Sequence, residues 1–212
     1  MKHKLLSLNV GQPETYETDR GPLRSAYRKK PVHETKYLSS LNFEGDEQAD
    51  KKHHGGRDKA VCLYPAQHYR HWEDYYNQTF SFPAFGENIT VEGIEEANVH
   101  IGDIFQLGEA LVQITEPRKP CYIIARTHGI DDFPAKVIQS GYTGFYLRVL
   151  KEGYVKPGDW MSLVERHPSM ISVEEVNDVR YNDRDNHEKI EAIIALDALS
   201  DSLRETLQKR LS

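Results

Sequence analysis

Cysteine is scarce in this chain: only Cys62 and Cys121 occur. Two cysteines make no disulfide framework, so the expected setting is a reducing cytoplasm. No stretch approaches the ~18 consecutive apolar residues of a membrane span. The apolar run at residues 5–10 is too short for the core of a signal peptide. Positive charge is also in deficit, with 27 Lys and Arg against 33 Asp and Glu and a net charge of -6. That balance argues against a general nucleic-acid partner, which wants a basic face, yet it leaves room for a small positive pocket. Zinc spacings such as Cys-x-x-Cys or His-Glu-x-x-His are missing, and adjacent His53 and His54 would point to opposite faces of an extended segment. There is no Ser-His-Asp order, nucleotide glycine fingerprint or Walker loop. Flavin, haem and iron–sulfur motifs are missing too.

What remains describes a domain of ordinary size with a small appendage. Residues 4–10 alternate as a first strand, residues 11–21 read as a loop, and residues 23–32 read as a second strand. That strand carries Arg24, Arg28, Lys29 and Lys30, expected as a solvated edge, with Lys30 in an anion pocket as the alternative. Val61-Cys62-Leu63-Tyr64 is a short buried strand. Pro65 opens a helix whose Tyr69, Trp72 and Tyr76 share a face, a core stripe rather than a cofactor platform. Gly102-Asp103 and Gly158-Asp159 lie between β-prone runs and read as turns. Many short strands with helices between them suggest a closed or partly closed β-barrel. After Pro168 the pattern changes. Ser172 and Glu175 form a capping box, and Val173, Val176 and Val179, then Ile190, Ile193 and Ile194, then Leu203, Leu207 and Leu211, mark three short helices. The expected fold is therefore mainly β with helical connections, with a β-barrel over residues 1–165 and a three-helix bundle over residues 170–212.

Two clusters carry chemistry. Pro117-Arg118-Lys119-Pro120-Cys121 follows a strand-like run at residues 110–114 and precedes a short helix at residues 122–126. A thiol at the start of a helix with Arg118 and Lys119 nearby favours the thiolate, the form that attacks or binds metal. The plainer reading is an inert cysteine in a rigid turn. His54-Gly55-Gly56-Arg57-Asp58-Lys59 combines paired glycines with cations, which suits a phosphate or another small anion. A tight glycine turn with incidental charges is the alternative, with Asp58 as the partner of Arg57 or Lys59. Glu87 and Asn88 either orient a ligand or complete a turn, and Gln113 and Arg148 either face inward or lie on the surface.

In order along the chain, Gly45-Asp46-x-Gln48-Ala49-Asp50, His54-Gly55-Gly56-x-Asp58-Lys59-Ala60-Val61, Phe85-Gly86-Glu87-Asn88, Ile101-Gly102-Asp103 and Pro117-Arg118-x-Pro120-Cys121 resemble the MOSC family, named for the C-terminal domain of molybdenum cofactor sulfurase. The match spans roughly residues 1–165. The tail is similar to the three-helix appendage of bacterial members related to the hydroxylaminopurine-resistance proteins. The resemblance implies a barrel that binds a molybdopterin-type cofactor, with Cys121 as molybdenum ligand and catalytic residue. It implies a cationic cradle for the pterin phosphate. Lys59 and Arg118 lead there, and His54, Gly55, Gly56, Asn88 and Arg148 are further lining. A closed barrel could bring the two clusters to one mouth. The implied reaction is reductive removal of oxygen from N-hydroxylated bases or amidoxime-like compounds, with electrons from a separate flavoprotein or iron–sulfur protein for which the tail is a docking surface or a mere cap. The alternatives are a non-catalytic molybdenum cofactor carrier or sulfur-transfer module, and a metal-free enzyme using Cys121 with His100 or His128 as base. No nucleic acid or membrane partner is expected, and the choice between monomer and homodimer is open.

Overall fold

Strand β6 (Val61–Pro65) is buried along its whole length, and this explains the architecture around it. Adjacent residues of a strand face opposite sides of a sheet. Val61 and Leu63 join one apolar cluster with Leu5, Phe105, Phe145 and Leu147. Tyr64 joins another with Tyr69, Trp72, Phe85 and Phe133. The first cluster fills a barrel, and the second coats its outer wall.

The structure, a computed structural model, describes residues 2–49 and 55–211. Strands β1 (Lys2–Val10), β7 (Ile89–Glu92), β8 (Ile104–Leu107), β9 (Ala110–Pro117), β10 (Phe145–Lys151) and β12 (Trp160–Glu165) join β6 in the order β12-β8-β9-β10-β6-β7-β1. Strand β12 pairs back onto β1, which closes a seven-stranded barrel and removes its open edges. Only β6 and β7 run parallel; the other barrel pairs are antiparallel. Strand β4 (Lys30–Pro31) pairs with the end of β1. Outside the barrel, β2 (Glu14–Thr18) pairs with β3 (Gly21–Ser25), and β5 (Lys36–Leu38) with β11 (Gly153–Val155).

Helices α1 (Gln67–Tyr76), α2 (Tyr122–His128) and α3 (Phe133–Ser140) cover the outer wall. The aromatic stripe of α1 is core: Tyr69 and Trp72 are buried, and the Trp72 Nε1–H donates to the Tyr64 hydroxyl at 2.7 Å. Burying side chains of this size contributes roughly 1.5–3 kcal/mol each.

The tail forms α4 (Val173–Tyr181), α5 (His187–Ile194) and α6 (Asp201–Gln208). The capping box is present. The Glu175 N–H donates to Ser172 Oγ at 3.0 Å, and the Ser172 N–H donates to Glu175 Oε2 at 2.7 Å. Val176, Val179, Ile190, Ile193, Leu203 and Leu207 belong to the same apolar cluster as the barrel residues, so the bundle is packed against the barrel.

Three sequence expectations change. Residues 23–32 are not one strand, because the chain leaves β3 after Ser25, where the Tyr27 N–H donates to Ser25 Oγ at 3.1 Å and the Lys29 N–H donates to the Tyr27 carbonyl at 2.8 Å. Residues 11–21 contain β2 as well as loop. Pro65 ends β6 and does not itself open α1.

Candidate functional site

The register of three strands builds the floor of the site. Tyr146 of β10 stands opposite Cys62 of β6 on one side and Glu116 of β9 on the other. Their neighbours Leu63, Phe145 and Leu147 fill the barrel, so the row Cys62, Tyr146, Glu116 faces away from the barrel interior. A cavity of about 240 Å³ lies against this wall. Cys62 and Tyr146 line it from the strands, Asn88 from the approach to β7, and Lys59 from the 3-10 turn Arg57–Lys59. The end of β3 contributes Arg24, the break after it contributes Tyr27 and Lys29, the segment after Phe43 contributes Glu47, Gln48 and Ala49, and Arg118, Cys121 and Tyr122 also line it.

Charge inside the cavity is unevenly compensated. The Lys29 ammonium is paired with the buried Asp46 carboxylate. Lys59 Nζ lies 3.3 Å from the buried Glu116 Oε1. Arg118 is different. It is 8% exposed, its backbone N–H donates to the Gly144 carbonyl at 3.0 Å, and its guanidinium carbon lies 5.8 Å from the centre of the Tyr27 ring. Among the described residues it has no carboxylate within ion-pair distance. A guanidinium keeps its charge in proteins, and a buried charge without a counter-ion is costly. The neighbouring acids do not supply one. Burial pushes the Cys62 thiol from an ordinary value of 9.0 up to about 11, and burial likewise raises the Tyr27 and Tyr146 hydroxyls. All three are neutral near pH 7, and although Glu47 also lines the cavity, Arg118 keeps no counter-ion within ion-pair distance among the described residues.

Cys121 sits half-buried at the same cavity, in extended conformation with φ -123 and ψ 164 immediately before α2. The next residue, Tyr122, is 61% exposed. The wall therefore presents a thiol beside a buried cation and an open aromatic ring.

Residues 50–162 match the MOSC domain, and residues 171–212 match the YiiM-like, 3-alpha helix domain. The chain belongs to the MOSC family. It is 46% identical over 209 residues to the uncharacterized protein YflK of Bacillus subtilis, covering 99% of this chain and 95% of that one. Protein YiiM of Escherichia coli is 37% identical over 88% of this chain and 84% of its own length. The crystal structure of YiiM from Geobacillus stearothermophilus superposes with a TM-score of 0.85 at 38% identity, over 99% of this chain and 100% of that one. A protein of Gibberella moniliformis named "Reductase" is 34% identical over 74% of this chain, which spans 29% of that longer protein.

Within this MOSC barrel, Cys121, Lys59, Arg118 and Asn88 come together at one cavity. They meet on the outer wall rather than at a barrel mouth, because the row that carries the floor alternates with the residues that fill the barrel. The Asn88 side chain is committed to the frame: its Oδ1 accepts from the Cys62 N–H at 3.1 Å and its Nδ2 donates to Asp46 Oδ2 at 2.9 Å. Gly55 and Gly56 lead into the turn that carries Lys59 but do not line the cavity, and Gly56 holds a φ of 98 that suits glycine. Arg148 is also away from the lining. Its Nη2 and Nε donate to Asp58 Oδ1 at 2.7 and 3.1 Å, so Arg148, not Arg57 or Lys59, is the partner of Asp58. His54, with His53, lies outside the described residues.

Other candidates are placed elsewhere. Lys30 is exposed on β4, and Lys29 is the lysine of that cluster that enters the cavity. The buried Glu87 accepts from the Tyr69 and Thr90 hydroxyls at 2.5 and 2.7 Å and from the Phe85 N–H at 3.0 Å, and burial raises its carboxyl. The Gln113 Nε2 donates to the Gly102 carbonyl at 3.2 Å. His100 is tied to Asp103 and Arg166, and His128 Nε2 lies 2.7 Å from the Ala84 carbonyl; neither lines the cavity with Cys121. Sequence reasoning missed Tyr27, Lys29, Cys62 and Tyr146 as lining. The uninterrupted apolar run of β6 was the available signal for Cys62, since a strand buried on both faces must present alternate side chains to a second layer.

Proposed function

We propose that the cavity binds a molybdopterin-type cofactor and that the chain is an oxidoreductase that removes oxygen from N-hydroxylated bases or amidoxime-like compounds. The buried Arg118 guanidinium, which has no carboxylate partner among the described residues, carries this reading. It fits the phosphate that ends such a pterin, for which a guanidinium offers a matched fork of donors. Cys121 lines the same cavity and would supply the soft sulfur that a molybdenum centre accepts. When bound, the group supplies two-electron oxygen-atom chemistry that no side chain offers.

The chain's own residues bind, orient and shield. Arg118 and Lys59 hold negative charge, and the neutral Tyr27, Tyr146 and Cys62 keep the wall around them of low polarity. Tyr122 offers a flat ring beside the thiol for a planar substrate. The name of the Gibberella moniliformis relative agrees with a reductive reaction. Electrons come, in this reading, from a separate flavoprotein or iron–sulfur protein.

Expression in cofactor-replete cells tests the proposal by molybdenum content and by reduction of a hydroxylaminopurine. Cys121→Ala is expected to abolish reduction while the chain stays folded. Arg118→Met is expected to lower cofactor retention by at least about tenfold, the scale of one charge-assisted contact. Reduction by Cys121→Ala at the parent rate, or full retention by Arg118→Met, would overturn it.

A further inference from the structure

We propose that the three-helix domain sets the anion affinity of the cavity through Arg180, a positioning residue that acts on Lys59 by way of Glu116. The inference rests on the reading that the cavity takes an anion, and assigns the helical domain a part in it.

Glu116 is 2% exposed near the end of β9, opposite Tyr146 in the strand register and just behind the lining of the cavity. Two cations from different parts of the fold share its carboxylate. Lys59 Nζ lies 3.3 Å from Oε1, and Arg180 Nη1 of α4 lies 3.9 Å from Oε2. Both are largely buried, with side chains 15% and 11% exposed. Arg180 Nη1 also donates to the Pro117 carbonyl at 3.1 Å, next to Arg118 in the chain. Ser202, in the first turn of α6, donates to Glu116 Oε1 at 3.4 Å. The turn that carries Lys59 is anchored to the same domain, because the Asp201 N–H donates to Asp58 Oδ2 at 3.1 Å.

An anion in the cavity competes with Glu116 for Lys59. While Arg180 shares the carboxylate, the pull of Glu116 on Lys59 is divided and its field into the cavity is offset. Without Arg180 the whole negative charge bears on Lys59, and the cavity becomes less hospitable to a second anion. A unit charge acting over about 10 Å at an effective dielectric near 20 changes an affinity by roughly tenfold.

Inorganic phosphate, titrated into the 212-residue chain by calorimetry at low ionic strength, tests this. The parent chain is expected to bind, and Arg118→Met to lose that binding, which locates the ion. Arg180→Met is expected to bind about tenfold more weakly, with partial rescue by Arg180→Lys, while Glu116→Gln binds several-fold more tightly. In the Glu116→Gln background, Arg180→Met should cost clearly less than in the parent, since only the direct field of Arg180 remains and the carboxylate through which it acts on Lys59 is neutral. An unchanged affinity in Arg180→Met, or an equal loss in both backgrounds, would overturn the inference alone. Failure of the parent chain to bind phosphate would overturn the anion cavity and this inference with it. If Arg180→Met does not fold, Glu116→Gln decides: tighter binding supports the inference, and unchanged or weaker binding refutes it.

Discussion

Replacing Asp46 by asparagine preserves the shape of the side chain and removes one charge from the rim of the cavity. The Asp46 side chain is 0% exposed. It is paired with the Lys29 ammonium, whose side chain is 7% exposed, and it accepts from the Gly11 N–H and from Asn88 Nδ2, each at 2.9 Å. The amide can serve one or two of these donors but leaves the ammonium buried without a counter-ion. Breaking one side of a buried pair costs about 3–5 kcal/mol. Lys29→Met added to Asp46→Asn takes away the stranded cation and substitutes a side chain of similar length. The double variant is therefore expected to recover at least about 2 kcal/mol of that loss, so the coupling exceeds about 2 kcal/mol by whatever Lys29→Met loses alone. Urea denaturation with the slope held common among the variants measures all three. If Asp46→Asn falls within about 1 kcal/mol of the parent, or if the double variant loses the sum of the single losses, the pair does not hold the rim as argued.

Two further outcomes follow from buried groups near the same wall. The Cys62 thiol is raised from 9.0 to about 11, so the unfolded chain releases its proton first as pH rises. Cys62 should contribute nothing to the pH dependence below pH 9 and a loss of about 3 kcal/mol between pH 9 and 11, on top of the loss from the buried tyrosines, so Cys62→Ala should reduce the fall by that amount; equal slopes in the two proteins would refute the assignment. Gly144 has a φ of +68, and a Cβ there would lie 2.4 Å from the Leu63 carbonyl oxygen. Gly144→Ala should lose at least about 2 kcal/mol by urea midpoint and weaken phosphate binding as well, because the Gly144 carbonyl accepts from the Arg118 N–H; a midpoint within about 0.5 kcal/mol of the parent would refute the close approach.

The sequence made the barrel and the helical tail legible for different reasons. Short β-prone runs between Gly-Asp turns can only be satisfied by many brief strands, and the Ser172–Glu175 box fixes a helix start locally. The break at residues 26–29 was not legible. Residues 23–32 alternate weakly, and what bends the chain there is a side-chain contact from Ser25 to the Tyr27 N–H together with burial of the Tyr27 ring. Helix α3 was missed as well, because its apolar face is completed only by the aromatic cluster of α1. Among site residues, Cys121, Arg118, Lys59 and Asn88 stood out by motif, whereas Arg148 stood out only as a cation on a strand. Its true partner, Asp58, is 90 residues away in the chain, and no local pattern reports such a pairing.

Placing the site on the outer wall has a mechanical consequence. Cys62, Tyr146 and Glu116 are fixed by strand pairing on both sides of β10, and the same strands bury Leu63, Phe145 and Leu147 in the barrel. A shift of that floor would disturb the barrel core, so the wall against which Lys59 and Arg118 are set is held in place by the barrel. The rim is built otherwise. Arg24, Glu47, Gln48 and Tyr122 come from a strand end, a loop and the first turn of a short helix, and each can change without disturbing the barrel. Under the proposed function, anion retention would be a property of the wall and of the helical domain that braces Glu116 and Pro117, while discrimination among substrates would belong to the rim. Variation in Tyr122 or Arg24 should redirect specificity at nearly constant stability, whereas variation in Arg118 or Glu116 should alter binding and folding together.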